Sequence, residues 1–433
     1  MQLYSTNNPA LRTNLREAIF QGLPADNGLY MPVNIPVMPA SFIQNLDQYT
    51  FPEIALHLAK AMIGDEIPEH DLATIIQKAI NFPAPIVQLE EHTTVLELFH
   101  GPSLAFKDFG ARFMAQTMSY FNRGEEQELT ILVATSGDTG GAVAAGFYQT
   151  PGIRVVILYP SGKVSPLQEK QLTTLGHNIT ALEVDGTFDD CQALVKQAFL
   201  DTALRQQLRL SSANSINISR LIPQVFYYWE AWKQLYRAHE KIVFVVPSGN
   251  FGNLTAGLLA YKMGLPVHHF IAATNANDVV PEYLETGRFK TRPSVRTISN
   301  AMDVGNPSNF VRMLDLFGST WNIMQKHITG YSFSDEQTKE AMRAVYRDKK
   351  YILDPHGAVG YLAWNAYHKE NPETTGVILE TAHPAKFLED VEEILGEKIS
   401  IPKALADISE KEKKAVPMKA DYNVFKNWLS QDF

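Results

Sequence analysis

Lys107 stands between Phe106 and Phe109 in the stretch His100-Gly101-Pro102-Ser103-Leu104-Ala105-Phe106-Lys107-Asp108-Phe109-Gly110, directly after a turn-forming run. A lysine held among apolar neighbours loses hydration of its ammonium form, so its pKa falls and a neutral amine becomes available. Such an amine can form a Schiff base with a carbonyl. The plainer alternative sets Lys107 on the polar face of a helix with both phenyl rings packed beneath it. The motif alone leaves both readings open.

Three further stretches bear on that choice. Val243-Phe244-Val245-Val246-Pro247-Ser248-Gly249-Asn250-Phe251-Gly252-Asn253-Leu254 reads as a buried strand, a glycine-rich turn and an apolar helix. Gly249 and Gly252 are expected to take positive φ and let the backbone approach a ligand, so that successive N–H groups and the helix N-terminus form an anion cup. Its spacing matches neither a nucleotide P-loop nor a dinucleotide fingerprint. A helix-capping turn with no ligand is the alternative. Ala134-Thr135-Ser136-Gly137-Asp138-Thr139-Gly140-Gly141 repeats the strand-turn-helix logic with hydroxyls in place of apolar groups. A substrate carboxylate suits that loop, with Ser136 and Thr139 donating, unless Asp138 merely caps the helix. Ser211-Ser212-Ala213-Asn214-Ser215-Ile216-Asn217-Ile218-Ser219-Arg220 gathers amide and hydroxyl groups at a helix start, with Arg220 one turn inside, where it can grip a second phosphate. Asn217 or Ser215 as an ordinary N-cap leaves Arg220 unexplained.

Late in the chain, Thr375 to Phe387 carries a strand ending in Thr381, whose hydroxyl can hydrogen-bond a ring nitrogen without protonating it. His383 reads as a turn residue. The 12 histidines show no H-x-x-x-H or H-E-x-x-H spacing, and Cys191 is the only cysteine, so neither a metal site nor an intrachain disulfide is expected. An amine, a metal-free phosphate cup and a hydroxyl-rich glycine loop together point to pyridoxal phosphate.

These groups need a scaffold. At 433 residues, 45% hydrophobic and 20% charged, the chain is long enough for two or three packed domains. A net charge of -9 argues against nucleic acid as a partner. Met1 to Phe20 contains no apolar signal-like run, and no stretch reaches bilayer length, so a cytoplasmic location without membrane attachment is expected.

Residues 1–85 read as a mainly helical N-terminal section. It includes a helix that starts at Thr50-Phe51-Pro52-Glu53 and stops at Gly64, and a second from Pro68 to Ile80. From Ile86 short β-branched strands alternate with helices, the pattern of parallel or mixed sheets in an α/β fold with helices on their faces. The strands fall at Ile86–Leu89, Val95–Phe99, Leu129–Ala134, Ile153–Tyr159, Ile179–Val184, Ile242–Val246, Phe270–Thr274 and Val377–Glu380. The longest helix is expected from near Asn217 through Trp232, and residues 277–308 are expected to be irregular.

The ordered set HGPSLAFKDFG, ATSGDTGGA, NSINISR, PSGNFGNL, ISNAMDVGNPSN and TAHPAKF resembles the threonine synthases, pyridoxal-phosphate enzymes of fold type II related to the tryptophan synthase β chain and the threonine dehydratases. The resemblance spans nearly the whole chain. It implies that Lys107 holds the cofactor covalently, that Gly249, Asn250, Phe251, Gly252 and Asn253 hold its phosphate, that Thr381 faces its ring nitrogen and that Asp138 lies near its ring hydroxyl. It further implies that Ser136, Gly137 and Thr139 receive the substrate carboxylate and Asn214, Ser215 and Arg220 its phosphate. The implied domains are 1–85, a large cofactor-binding domain of 86–110 with 215–433, and a small domain of 111–214. Asn27 stands where many members carry glycine, a change that the αL tolerance of asparagine accommodates.

The implied reaction turns O-phospho-L-homoserine and water into L-threonine and phosphate, in a monomer or homodimer. A serine or threonine dehydratase or another amino-acid phospholyase is the rival among enzymes. A sensor of phosphorylated metabolites, with Lys107 on the surface, is the rival outside them.

Overall fold

The computed structural model describes residues 1–135 and 137–431. The first section holds β1 (Gln2–Ser5), β2 (Arg12–Asn14) and β3 (Tyr30–Pro32), which form an antiparallel sheet in the order β2-β1-β3. The expectation of a mainly helical section missed these strands, which are only 3 or 4 residues long, too short for a sequence periodicity to register. The helices Phe51–Ile63 and Glu69–Ala79 follow as expected, the first with a Thr50/Glu53 capping box and Gly64 at its end.

Two larger sheets carry the rest. β4 (Ile86–Glu90) and β5 (Thr93–Glu97) form a hairpin; β6 (Leu129–Ala134), β7 (Ile153–Pro160), β8 (Ile179–Asp185) and β9 (Arg209–Ser212) come next. β10 (Ile242–Pro247), β11 (His269–Thr274), β12 (Ile328–Ser332), β13 (Thr375–Glu380) and β14 (Val416–Lys419) complete the set. One sheet has 6 strands in the order β12-β11-β10-β13-β5-β4, parallel except for β4 on β5. The other has 5, in the order β14-β8-β7-β6-β9, all parallel. Parallel strands covered by helices on both faces read as unbroken apolar runs, and β6, β10 and β13 are buried along their whole lengths.

Every strand expected from Ile86 onward is present within a residue or two. β14 corrects the domain boundary: the tail was expected to belong wholly to the large domain, yet Val416–Lys419 extends the small sheet and Phe425 and Leu429 bury into its core. The long helix expected from Asn217 is interrupted, as Ile218–Leu221 and then Gln224–Leu235, because Pro223 has no N–H to continue the ladder. Residues 277–308 are not wholly irregular either, since Val279–Thr286 is helical. Among the described residues no helix is long and apolar enough to cross a membrane.

In the 6-stranded sheet the chain runs outward from β10 through β11 to β12 on one side, while β13 and β5 lie on the other. Such a reversal opens a crevice at the carboxyl ends of the strands. Ser248 and Thr381 emerge there, from β10 and β13. Packing behind the crevice is tight: a Cβ on Gly376 would sit 2.4 Å from the Trp364 ring. Gly376→Ala is therefore expected to destabilise the protein by about 1–3 kcal/mol through overpacking. A lowered urea midpoint, restored in part by adding Trp364→Leu, checks it.

Candidate active site

The segment before Lys107 is pinned to the segment after β13. Phe106 N–H donates to the Thr381 carbonyl at 2.8 Å, His383 N–H donates to Leu104 O at 3.0 Å, and Ala105 bridges Ala382. Leu104 takes φ 57° to make the turn. Lys107 then opens the helix Lys107–Phe121, with its ammonium 5.8 Å from the centre of the Phe106 ring. Phe109 points the other way, into the core against Phe82 and Tyr227. The lysine is thus neither on a solvated face nor between two rings. Its side chain is 19% exposed and lines a cavity of about 460 Å³.

Asp138 and Lys386 complete the charge arrangement. Asp138 opens the helix Asp138–Phe147; one carboxylate oxygen lies 3.8 Å from Lys107 Nζ, and the other lies 2.9 Å from Lys386 Nζ and accepts from Gln168 Nε2 at 2.9 Å. Helix capping is left to Thr135, whose hydroxyl accepts from Gly137 and Gly140 N–H at 3.0 and 2.8 Å, so Asp138 is free for the site. Burial alone would raise the Asp138 carboxyl; the Lys386 and Lys107 ammonium groups overcome it and hold the group far below the usual carboxylate range. Burial lowers Lys107, Lys386 and Arg220 push in the same direction, and Asp138 resists.

Lys386 is a site residue that the sequence reading missed. It is 1% exposed and also donates to Ser103 O at 2.7 Å and Gln171 Oε1 at 3.0 Å. Nothing in the sequence near Lys386 announces its partners, which all come from distant segments.

The cavity brings together Lys107, Thr139, Ser215, Arg220 and Thr381 with all five residues from Gly249 to Asn253. The cup differs from expectation in one respect. Neither Gly249 nor Gly252 has positive φ; the left-handed residue is Phe251, at φ 58°. Gly249 is needed instead for close approach, since a Cβ there would lie 2.6 Å from Ala301 O. The Asn253 side chain stitches the turn, donating to Pro247 O at 2.8 Å and accepting from Ser248 Oγ at 2.8 Å and Leu254 N–H at 2.9 Å. Asn250 Oδ1 faces outward and accepts from Ser308.

Arg220 lies across the cavity, 3% exposed, with Nη1 donating to Ala213 O at 2.9 Å and Nε buried without a partner among the described residues. Burial lowers its guanidinium to about 10, still a cation at neutral pH. Asn214 is adjacent to the cavity wall rather than part of it, and its Oδ1 is likewise buried and unpaired. Gly137 packs on Gln168, where a Cβ would come within 2.7 Å. Ser136 lies outside the described residues.

Lys163, Arg296 and His356 also line the cavity and were not singled out from the sequence. Arg312 was missed as well. It is fully buried and ties Tyr30 O and Ile216 O to Asn309, which joins the N-terminal section to the Ser215 loop. His383 is pushed down to about 4 by burial and caps the turn Pro384–Phe387, in keeping with a turn residue. A larger, shallower cleft of about 990 Å³ lies against the edge strand β12 and holds none of the expected residues.

The charge cluster makes a directional prediction. Lys386→Met removes a repelling cation and leaves Asp138 to Lys107, so the Lys107 titration moves up in pH; Asp138→Asn moves it down. The pH dependence of Lys107 acylation, read by mass spectrometry, checks both signs.

The chain is similar to known proteins along its whole length. Residues 81–380 match the family model described as pyridoxal-phosphate dependent enzyme, residues 2–80 the threonine synthase N terminus and residues 357–428 the threonine synthase C-terminal region. Threonine synthase of Serratia marcescens is 49% identical over 94% of both chains. The crystal structure of threonine synthase from Escherichia coli superposes with TM-score 0.93 at 45% identity over 100% of both chains. A PLP-bound threonine synthase from Brucella melitensis gives TM-score 0.93 at 33% identity over 99% of both. With family models and relatives that match it from end to end, the chain belongs to the threonine synthase family of pyridoxal-phosphate-dependent enzymes.

Proposed function

We propose that this chain converts O-phospho-L-homoserine and water into L-threonine and phosphate, with Lys107 as the proton-transfer group. The observation that carries the reading is the placement of two anion-binding features in one cavity, the turn Gly249–Asn253 and the buried cation Arg220, with the Lys107 amine facing the same space.

The residues fit pyridoxal phosphate. The Gly249 backbone can approach a phosphate because no side chain stands there, and the helix Gly252–Lys262 begins at the turn and adds the favourable end of its dipole. Thr381, 6% exposed, offers a neutral hydroxyl partner for the ring nitrogen. Asp138 stands beside Lys107, where it can accept from the ring hydroxyl. When bound, the cofactor supplies the electron sink for carbanion chemistry at the substrate α-carbon.

The protein groups handle the rest. Thr139, with Ser136 and the backbone at Gly137, receives the substrate carboxylate; Arg220, Ser215 and Asn214 receive its phosphate. Lys107 Nζ would take the proton from Cα, pass it on within the site and, neutral again, take one from Cβ. Phosphate leaves Cγ within reach of Arg220; Lys107 would return a proton to Cγ, water would add its hydroxyl at Cβ while its own proton passes to a basic group of the site, and a proton would return to Cα to give threonine. One amine near three adjacent carbons can serve each transfer because burial lowers its pKa and favours the free amine. The reading places the protein in the cytoplasm as a monomer or homodimer, with the small-molecule substrate as its partner.

The test is phosphate release from O-phospho-L-homoserine by the cofactor-loaded protein, with amino-acid analysis of the same mixture. Equal amounts of phosphate and threonine are expected. Phosphate with a 2-oxo acid would replace this reading with an elimination enzyme. Arg220→Ala is expected to lower kcat/KM about 10- to 100-fold through loss of a charged hydrogen bond. A dehydratase acting on serine or threonine would keep its rate in that variant.

A further inference from the structure

Behind Thr381 lies a buried chain of three titratable groups that the reaction above does not use. Glu380, the last residue of β13, is fully buried, as is Asp354, the cap of the helix Pro355–His368; His356 is 2% exposed and lines the cavity. Asp354 N–H donates to Glu380 Oε1 at 2.6 Å. Asp354 Oδ1 accepts from His356 N–H at 2.8 Å and from the imidazole Nδ1 at 2.5 Å. The other imidazole nitrogen, Nε2, accepts from Ala301 N–H at 3.3 Å.

Two oxygens are left over. Glu380 Oε2 and Asp354 Oδ2 are both buried, and neither has a donor among the described residues. Two adjacent buried carboxylates would repel one another and each lack a partner, at a cost that folded proteins avoid. The two side chains are within hydrogen-bonding reach of each other, and a single proton shared by the pair gives both a partner. The fold leaves no room for another solution on the Gly357 side, where even a Cβ would lie 1.6 Å from Glu380 Oε2. Burial and the neighbouring Asp354 and Glu97 carboxyl groups all favour the neutral form of Glu380. Glu97 is itself occupied by His100 and Tyr351, at 2.8 and 2.9 Å.

We propose that Glu380 is a carboxylic acid in the folded protein, donating its proton to Asp354, and that this acid–carboxylate–imidazole chain makes His356 a positioning residue for the cofactor phosphate cup. The link to the cup is steric. His356 holds Ala301, whose carbonyl stands 2.6 Å from where a Cβ on Gly249 would be, and Met302 Cα stands 2.9 Å from the same point. The turn Asn300–Met302 therefore backs directly onto Gly249, and its position sets how closely a phosphate can seat. The chain also has directionality: with Nε2 accepting from Ala301, the imidazole proton lies on Nδ1, which is the tautomer Asp354 selects.

The second half of the proposal rests on the reading that Gly249–Asn253 holds the cofactor phosphate, and the experiment separates the two. The infrared difference spectrum between the wild-type holoenzyme and Glu380→Gln at neutral pH is expected to contain a protonated-carboxyl stretch that the variant lacks. Glutamine keeps the shape and a donor toward Asp354, so cofactor affinity in that variant is expected to stay within about twofold of wild type. Removing the clasp in His356→Leu is expected to weaken cofactor binding about tenfold, the worth of one buried hydrogen bond and its positioning. Equilibrium dialysis of pyridoxal phosphate reads both, and His356→Gln, which keeps an acceptor, should recover part of the loss. An ionised Glu380 in the spectrum, or wild-type cofactor affinity in His356→Leu, overturns the proposal. Wild-type affinity in a Gly249→Ala control overturns the phosphate-cup reading itself and, with it, the role given to His356.

Discussion

The Asp138 carboxylate is buried between two lysines, and the site depends on that arrangement. Lys107 comes from the start of a helix beside the large sheet, Asp138 from the first turn of a helix in the small-sheet region, and Lys386 from the loop after β13. Taking one carboxylate and two ammonium groups out of water is costly, and such a cluster is tolerated only where hydrogen bonds satisfy what the charges leave over. Gln168 and Gln171, one turn apart on the helix Pro166–Thr173, and the Ser103 carbonyl do this. Removing the carboxylate would leave two ammonium groups facing each other without an anion between them. The cluster therefore acts as a clasp between the two sheet regions and as the electrostatic setting of the reactive amine.

The remaining geometry follows from where the strands end. β10 and β13 are neighbours in the large sheet, so the glycine turn after Pro247 and Thr381 open onto one crevice. The Lys107 segment has no strand of its own to place it and borrows the order of β13 through the Phe106–Thr381 and Leu104–His383 hydrogen bonds. Opposite them, Arg220 is held rigid by its bond to Ala213 and by Gly110, at which a Cβ would lie 2.8 Å from the guanidinium Nε. A cation fixed by packing would lose little freedom on meeting an anion, which supports the proposed role of Arg220 as the phosphate-binding group.

Much of this was legible in the chain, for physical reasons that also mark the limits. Strands such as Ile242–Pro247 and Leu129–Ala134 are unbroken β-branched or apolar runs because both faces are covered, and turn residues bound them clearly. β12 escaped notice because Ile328-Thr329-Gly330-Tyr331-Ser332 is an edge strand with a central glycine and one open side. Glycine motifs located the turn between β10 and the next helix, yet the left-handed torsion fell on Phe251, since Gly249 is reserved for contact with Ala301. Lys386, His356 and Arg312 were not legible at all. Each is buried by partners far away in the sequence, and local composition carries no trace of such pairings.

Two lysines flank Asp138, one facing the cavity and one buried, and only Lys107 is proposed to carry the covalent chemistry. Lys107 faces the cavity with a lowered pKa, whereas the Lys386 ammonium is spent on Asp138, Gln171 and Ser103. Borohydride reduction of the cofactor-loaded protein, followed by proteolysis and mass mapping of the reduced pyridoxyl group, distinguishes them directly. The label is expected on Lys107 alone. A label on Lys386, or one that persists in Lys107→Ala at wild-type yield, would contradict it.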